Sequence, residues 1–416
     1  MKNNTLTSPI SQQDFQGQKF HDELTEFIRL GAQNLIKQAL EAELQVFMRE
    51  FASHKNEQGR KSVVRNGYHP TRSIATGIGG IEVRVPKVRS RSEESVCFRS
   101  SFVPPYIRRT QSIDEALPWL YLKGVSTGNM QEALSAFVGV NAKGFSPCVV
   151  SRLKHKWLEE YKQWSRRKLD DEWVYLWMDG IYSNPRGDEH RQCVLVVMGV
   201  NSQGEKHLLA IEDGARESTQ SWKEVLLSLK DRGLDNFKLA IGDGAMGLWS
   251  ALSETYPEVK QQRCWVHKTK NVLNSLPKSV QPKAKSMLQE IWMAETQKTA
   301  EKAFDLWLKT FQDKYPKAAE CLSKDRKSLL VFYAFPASHW QHIRTTNPIE
   351  STFATIRHRS KQSKGCLSRN GILSMIFKLG ATAQKNWRRI RGYKELEKLI
   401  NGVKFKDGIE IQQDAA

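Results

Sequence analysis

No two of the six cysteines, at 97, 148, 193, 264, 321 and 366, stand in a C-x-x-C pair. That spacing excludes a disulfide framework and fits a reducing compartment. The polar start Met1-Lys2-Asn3-Asn4 has no apolar segment of the kind a secretion signal needs. No apolar run approaches the ~20 residues that span a bilayer. Internal repeats and low-complexity tracts are absent as well. These absences lead us to expect a soluble, cytoplasmic protein with no membrane partner.

Acidic residues are the other shortage. The 416 residues carry 45 Asp and Glu against 64 Lys and Arg, a net charge of +19, so a polyanionic partner is expected. The excess is concentrated in segments 60–109 and 351–406, and the remainder is close to neutral. Localised basic blocks suit phosphate tracking better than general solubility. The length allows two to four domains.

The chain is organised around Trp173-Val174-Tyr175-Leu176-Trp177-Met178-Asp179-Gly180. Six apolar or aromatic residues in a row read as a strand buried on both faces, with a carboxylate at its far end. Ionised and unpaired there, Asp179 would cost several kcal/mol of lost hydration, so something must compensate it. The pattern recurs at Phe237-Lys238-Leu239-Ala240-Ile241-Gly242-Asp243-Gly244. Two strand-end carboxylates in one sheet suit a site for metal-dependent phosphoryl transfer. Asp213-Gly214 has the same look but follows a third strand, and reads as a turn.

Upstream, residues 20–51 read as one amphipathic helix with Leu24, Phe27, Ile28, Leu35, Ile36, Leu40, Leu44, Phe47 and Phe51 on one stripe, suited to packing on its own domain or to dimerisation. Ile81 to Arg89 alternates apolar with mostly basic residues, giving a packed face and a positive face. Arg65, Lys87 and Arg89 are candidate phosphate contacts there. Three helices follow: Ile113 to Lys123, a second opened by Ser126-Thr127, and a third capped by Ser146 with Pro147 first. With Arg152 and Lys154 near the start of the third, they look like a helix-turn-helix reader.

The next stretch reads as three strands, helix, strand, helix, strand, the order of a ribonuclease H-like fold. From His267 to about Tyr333 the pattern is helical throughout, an all-α insertion. Asn347 then reads as a cap and Pro348 as the first residue of a helix carrying Glu350. The fold class expected is therefore α/β: a ribonuclease H-like mixed sheet interrupted by an all-α insertion, behind a mostly helical DNA-binding region. The boundaries read as 1–60 (helical), 61–110 (basic, β-rich), 111–170 (helix-turn-helix-like), 171–266 (core), 267–340 (insertion) and 341–416 (core completion and basic tail).

Mg²⁺ takes oxygen ligands and keeps several waters, so a few carboxylates suffice to hold it. Two such ions, Mg²⁺ or Mn²⁺, can clamp both oxygens of an in-line displacement at phosphorus. Asp179, Asp243 and Glu350 are the candidate ligands. Arg357 lies about two helical turns beyond Glu350, with Arg359 close by, ready to neutralise phosphate. Separately, Cys264 and His267 form a C-x-x-H pair, while His339 and His342 stand at i, i+3 spacing. Together the four could make a structural Zn²⁺ site at the two ends of the insertion.

Leu176 to Tyr182, Ile241 to Gly244, Gln262 to Lys268 and Arg344 to Thr352 resemble the motifs of the IS256/Mutator-type DDE transposases of bacterial insertion sequences. The likeness extends to Arg65-Asn66-Gly67-Tyr68, Gly124-Val125-Ser126-Thr127 and Cys321-Leu322, nearly the whole chain. It implies that Asp179, Asp243 and Glu350 form a catalytic triad and that Cys264-x-x-His267 is a family signature. It also implies that an insertion tryptophan, Trp292 or Trp307, touches DNA near the cut. The function so implied is strand cleavage and strand transfer on double-stranded DNA, at terminal inverted repeats and target, by a dimer or larger assembly. Two rivals are a catalytically silent DNA-binding regulator and a ribonuclease H-like nuclease without strand transfer.

Overall fold

A computed structural model describes residues 23–55, 58–91, 95–123, 125, 129–130, 132–134, 147–183, 192–214, 216–351, 353 and 368–411. The chain divides into two compact units, Met1–Val150 and Ser151–Ala416.

In the first unit, helix α1 (Glu23–Glu50) lies on two antiparallel pairs. Strand β1 (Val63–Tyr68) pairs with β4 (Pro86–Ser90), and β2 (Arg72–Thr76) with β3 (Gly79–Val83). The alternation expected over 81–89 is real, with Ile81, Val83 and Val88 buried and Lys87 and Arg89 exposed. It is split between two strands, however. Pro86 cannot donate to a ladder, and the chain changes partner at Arg84-Val85. The apolar stripe of α1 is likewise only partly used. Leu40 packs with Ile74, Ile81 and Val83, and Leu44 with Val63, Val88 and Phe98. Leu24 and Phe27 stay 66 and 75% exposed, because the β-pairs reach back only as far as Ala32, and Leu35 is 67% exposed although Ala32 and Ile36 on either side of it pack.

Helix α2 spans Gln111–Leu122, and α3 spans Pro147–Ser165, starting where Pro147 was expected to start it. Most of the expected middle helix, and Ser146, lie outside the described residues. The α3 helix straddles the unit boundary. In the second unit its Tyr161 hydroxyl donates to the carbonyl of Ile211 (2.7 Å), and its Trp164 ring lies 5.0 Å from that of Phe377.

The second unit is built on a five-stranded mixed sheet, ordered β7-β6-β5-β8-β9. Strands β5 (Trp173–Ser183), β6 (Gln192–Asn201) and β7 (Lys206–Gly214) form an antiparallel meander. Strand β8 (Leu239–Gly242) runs parallel to β5, and β9 (Lys260–Arg263) parallel to β8. Helices α4 (Thr219–Asp231) and α5 (Met246–Thr255) cover one face, where Trp222, Leu226 and Leu252 pack on Leu176, Met178 and Leu195. The described elements from Trp265 to Ile343 are all helical, beginning with α6 (Trp265–Asn274).

Candidate active site

The strand register positions the acidic pair. Parallel pairing sets Met178 of β5 against Gly242 of β8, so the next residues, Asp179 and Asp243, emerge side by side. Gly242 in turn pairs with Arg263, which makes Cys264 the corresponding residue beyond β9, its N–H donating to the Gly242 carbonyl at 2.8 Å. The expectation that Asp179 ends its strand is corrected. Strand β5 runs on to Ser183, with Asp179 paired to Val196 of β6. Only the parallel side of the sheet stops there. The Asp-Gly signature at 243–244 has a steric cause: Gly244 holds φ of 95°, and a side chain there would strike the Arg263 guanidinium.

Period-two alternation puts Tyr175, Trp177 and Asp179 on the face that α4 and α5 leave open. Another part of the chain crosses that face. The Trp177 indole donates to the carbonyls of His342 (3.2 Å) and Thr345 (3.1 Å), and this segment leads into the helix at 347–351 that carries Glu350. The residue preceding that helix is Thr346 rather than the expected Asn347. The N–H groups of Ile349 and Glu350 both bond the Thr346 carbonyl at 3.0 Å, and Asn347 is already helical. Thr and Asn are both good caps. Thr346 takes the position because its hydroxyl also reaches Glu350 Oε1, at 2.6 Å.

Each aspartate has one oxygen fixed by the backbone that follows it. Asp179 Oδ1 accepts from the Gly180 N–H (2.8 Å), and Asp243 Oδ1 from the Ala245 N–H (2.9 Å). Burial, reinforced by the negative charge of Asp243, pushes the Asp179 carboxyl up to about 7, against the pull of His267. A fourth carboxylate that the sequence did not reveal, Glu217, lies against the backbone of Gly180, where a Cβ would not fit. It is raised by burial first and by Asp243 second. It immediately precedes Ser218, the cap of α4, and no sequence signal marks it, since it meets Gly180 only in the folded chain. His267, in the first turn of α6, has Nε2 at 3.6 Å from Glu350 Oε1. Hydrogen bonding to Cys264, then the charges of Glu350 and Asp179, raise it to about 9.

The four-residue zinc set is not assembled. His339 is buried with Nδ1 at 2.7 Å from the Tyr175 hydroxyl and Nε2 at 2.9 Å from the Gly392 carbonyl. His342 accepts the Arg391 N–H at 3.1 Å, and burial drives it down to about 4. Both rings are engaged by the wall of the core. Among the described residues, the group of potential ligands that does form is Cys264, His267 and Glu350, with donor atoms within 4.8 Å of one another. Asp213 also differs from expectation. It is still within β7, the last residue but one, in register with Val194, and pairs with Arg369 at 3.2 Å.

The candidate DNA contacts fall into three groups. Lys87 and Arg89 are exposed on β4, and Arg152 is exposed on α3 beside a half-buried Lys154. Arg65 is claimed inside its own unit, with its two guanidinium nitrogens 2.9 and 2.6 Å from the Glu41 oxygens. Arg357 and Arg359 lie outside the described residues. Of the two tryptophans, Trp307 is fully buried and donates to the Ala284 carbonyl at 3.2 Å, so it is core. Trp292 is half-buried and lines a cavity of about 390 Å³ with Met293, Trp340, Arg344 and Arg391.

Three comparisons bear on this geometry. The model of the family described as "Transposase, Mutator family" matches residues 1–390. The chain is 53% identical over 282 residues to the transposase for insertion sequence element IST2 of Acidithiobacillus ferrooxidans, covering 67% of this chain and 95% of that protein. It is 44% identical over 297 residues to the transposase for IS6120 of Mycolicibacterium smegmatis, covering 71% and 92%. Among solved structures, a chain of the Drosophila P element transposase strand transfer complex is similar at a TM-score of 0.28 and 8% identity, over 70% of this chain and 85% of that one. So loose a likeness is given no weight.

Proposed function

The chain belongs to the Mutator family of transposases, and from that premise we propose that it binds the terminal inverted repeats of an insertion sequence and catalyses cleavage and transfer of DNA strands through Asp179, Asp243 and Glu350. The observation that carries this reading is the strand register Met178–Gly242, which sets two aspartates abreast on the face crossed by the segment leading to Glu350. The order of the five strands supports a ribonuclease H-like core.

The donor set fits a hard divalent cation. Among the described residues, Asp179 and Asp243 each spend one oxygen on a backbone N–H and keep the other free of protein hydrogen bonds. Burial and the neighbouring charge of Asp243 raise the Asp179 carboxyl, and a bound cation would offset both. Two Mg²⁺ or Mn²⁺ ions held by the three carboxylates would stabilise the charge that develops on the attacking and leaving oxygens.

The chain's own residues supply orientation and charge. The Gly180 and Ala245 N–H groups fix the rotamers of the two aspartates, and His267 offsets part of the negative charge around Glu350. Water adds to the phosphorus at the element end and the bond to the 3′-oxygen breaks, leaving a 3′-hydroxyl. That hydroxyl then displaces one strand of the target, so one phosphodiester is made for each one broken. Phosphate contacts from Lys87, Arg89 and Arg152 position the duplex without reading its sequence. Because two element ends must meet, the active form on DNA is a dimer or larger.

Asp179→Asn keeps the shape of the site and removes a charge. It should bind terminal-repeat DNA with unchanged affinity and lose nicking, as read on denaturing gels in Mg²⁺. Full nicking by that variant would overturn the assignment.

A further inference from the structure

Glu350 is held in place by residues outside the acidic triad. Thr346 is fully buried. Its N–H and its hydroxyl both lie 3.2 Å from Cys264 Sγ. The same hydroxyl is 3.3 Å from His267 Nδ1 and 2.6 Å from Glu350 Oε1. One hydroxyl has one proton, and the shortest contact, to the carboxylate, is the one to which it donates. The hydroxyl oxygen is then free to accept from His267 Nδ1, while the sulfur is held by the Thr346 N–H. We propose that Thr346 is a positioning residue for Glu350, and that Cys264, through the Thr346 N–H, and His267, through the hydroxyl oxygen, are the seat that fixes it. This rests on reading Glu350 as a member of the acidic triad.

The arrangement gives the C-x-x-H pair a physical task. Cys264 immediately follows β9 and caps α6, so it is as fixed as the sheet edge that carries Asp243. Three residues on, His267 lies one helical turn away and faces the same side. Glu350 comes from a separate helix, 86 positions after Cys264. Among the described residues, the Thr346 hub joins that helix's N-terminus to the sheet edge at the carboxylate itself, beside the 3.6 Å contact of His267 Nε2 with Glu350 Oε1. On donor type alone, Cys264, His267 and Glu350 also resemble a zinc site. The Thr346 hydroxyl already lies within hydrogen-bonding distance of all three, however, so the cluster closes without an ion.

The test uses the full chain and terminal-repeat DNA. Thr346→Val keeps the volume and removes the hydroxyl, whereas Thr346→Ser keeps the hydroxyl. We expect the valine variant to melt and bind DNA like the parent, to cleave about a hundredfold more slowly, and to need more Mg²⁺ for half-maximal rate. The serine variant should recover most of that loss. Should the valine variant fail to fold, Cys264→Ala, which removes the seat, is expected to raise the Mg²⁺ requirement in the same way. Parental cleavage by Thr346→Val, or a serine variant as impaired as the valine one, would overturn the proposal. So would a thiolate-to-metal absorption band on titrating the protein with Co²⁺, lost in Cys264→Ala, since the cluster would then be a metal site. Glu350→Gln separates the two readings: if it still cleaves, the triad assignment falls; if it is inactive while Thr346→Val is not, only the hub falls.

Discussion

Asp179 and His267 give the site a pH signature. In the metal-free protein the Asp179 carboxyl is raised from 3.8 to about 7. Between those values the folded state holds the extra proton, so stability is greatest below the lower one and falls as pH rises through the upper one. His267 is raised from 6.5 to about 9, so its contribution is complete below 6.5 and is lost as pH climbs through 9. Both slopes have the same sign. Without divalent ions, the melting temperature should decline steadily from about pH 5 to about pH 9. Asp179→Asn should remove the lower part of that decline and leave the upper part. A flat profile in the parent chain, measured by thermal melts in chelator, would contradict the assigned environments.

Among the elements, β5 and the segment from His339 to Glu350 depend on each other. Trp177, fully buried, closes that segment onto the sheet through its indole N–H. Trp177→Phe keeps the aromatic body, leaves two carbonyls short of a donor and opens a small cavity. It should cost about 2 kcal/mol or more in urea unfolding and slow cleavage through misplaced Glu350. A variant as stable as the parent would show that the segment is held elsewhere. This contact also marks the limit of what the sequence could reveal. A strand buried on both faces announces itself as an unbroken apolar run, so β5, β8 and the aspartates that follow their apolar runs were legible, although, of the two, Asp-Gly marked a strand end only at β8. That the Tyr175 hydroxyl would claim His339 was not, because i, i+3 spacing says only which residues can share a face. Glu217 was hidden for a similar reason: its partner is the bare backbone of Gly180, met only once α4 has docked on the sheet.

At the scale of the whole molecule, the excess positive charge and the acidic cluster are separate features with one shared partner. The exposed Lys87 and Arg89 belong to the first unit, and the carboxylates to the second. DNA is the polyanion that both can engage. The basic composition was plain in the sequence, but its division into free and occupied residues was not. Arg65 looked available until Glu41, on a helix 24 residues earlier, took its guanidinium. No helix among the described residues is long and apolar enough to cross a membrane. The central claim is that Asp179, Asp243 and Glu350 hold divalent ions together, and Mn²⁺ titration of the protein–DNA complex by paramagnetic resonance tests it most directly. Asp179→Asn, Asp243→Asn and Glu350→Gln should each weaken Mn²⁺ binding by about tenfold or more while DNA affinity is kept. Parental Mn²⁺ binding in all three variants would contradict it.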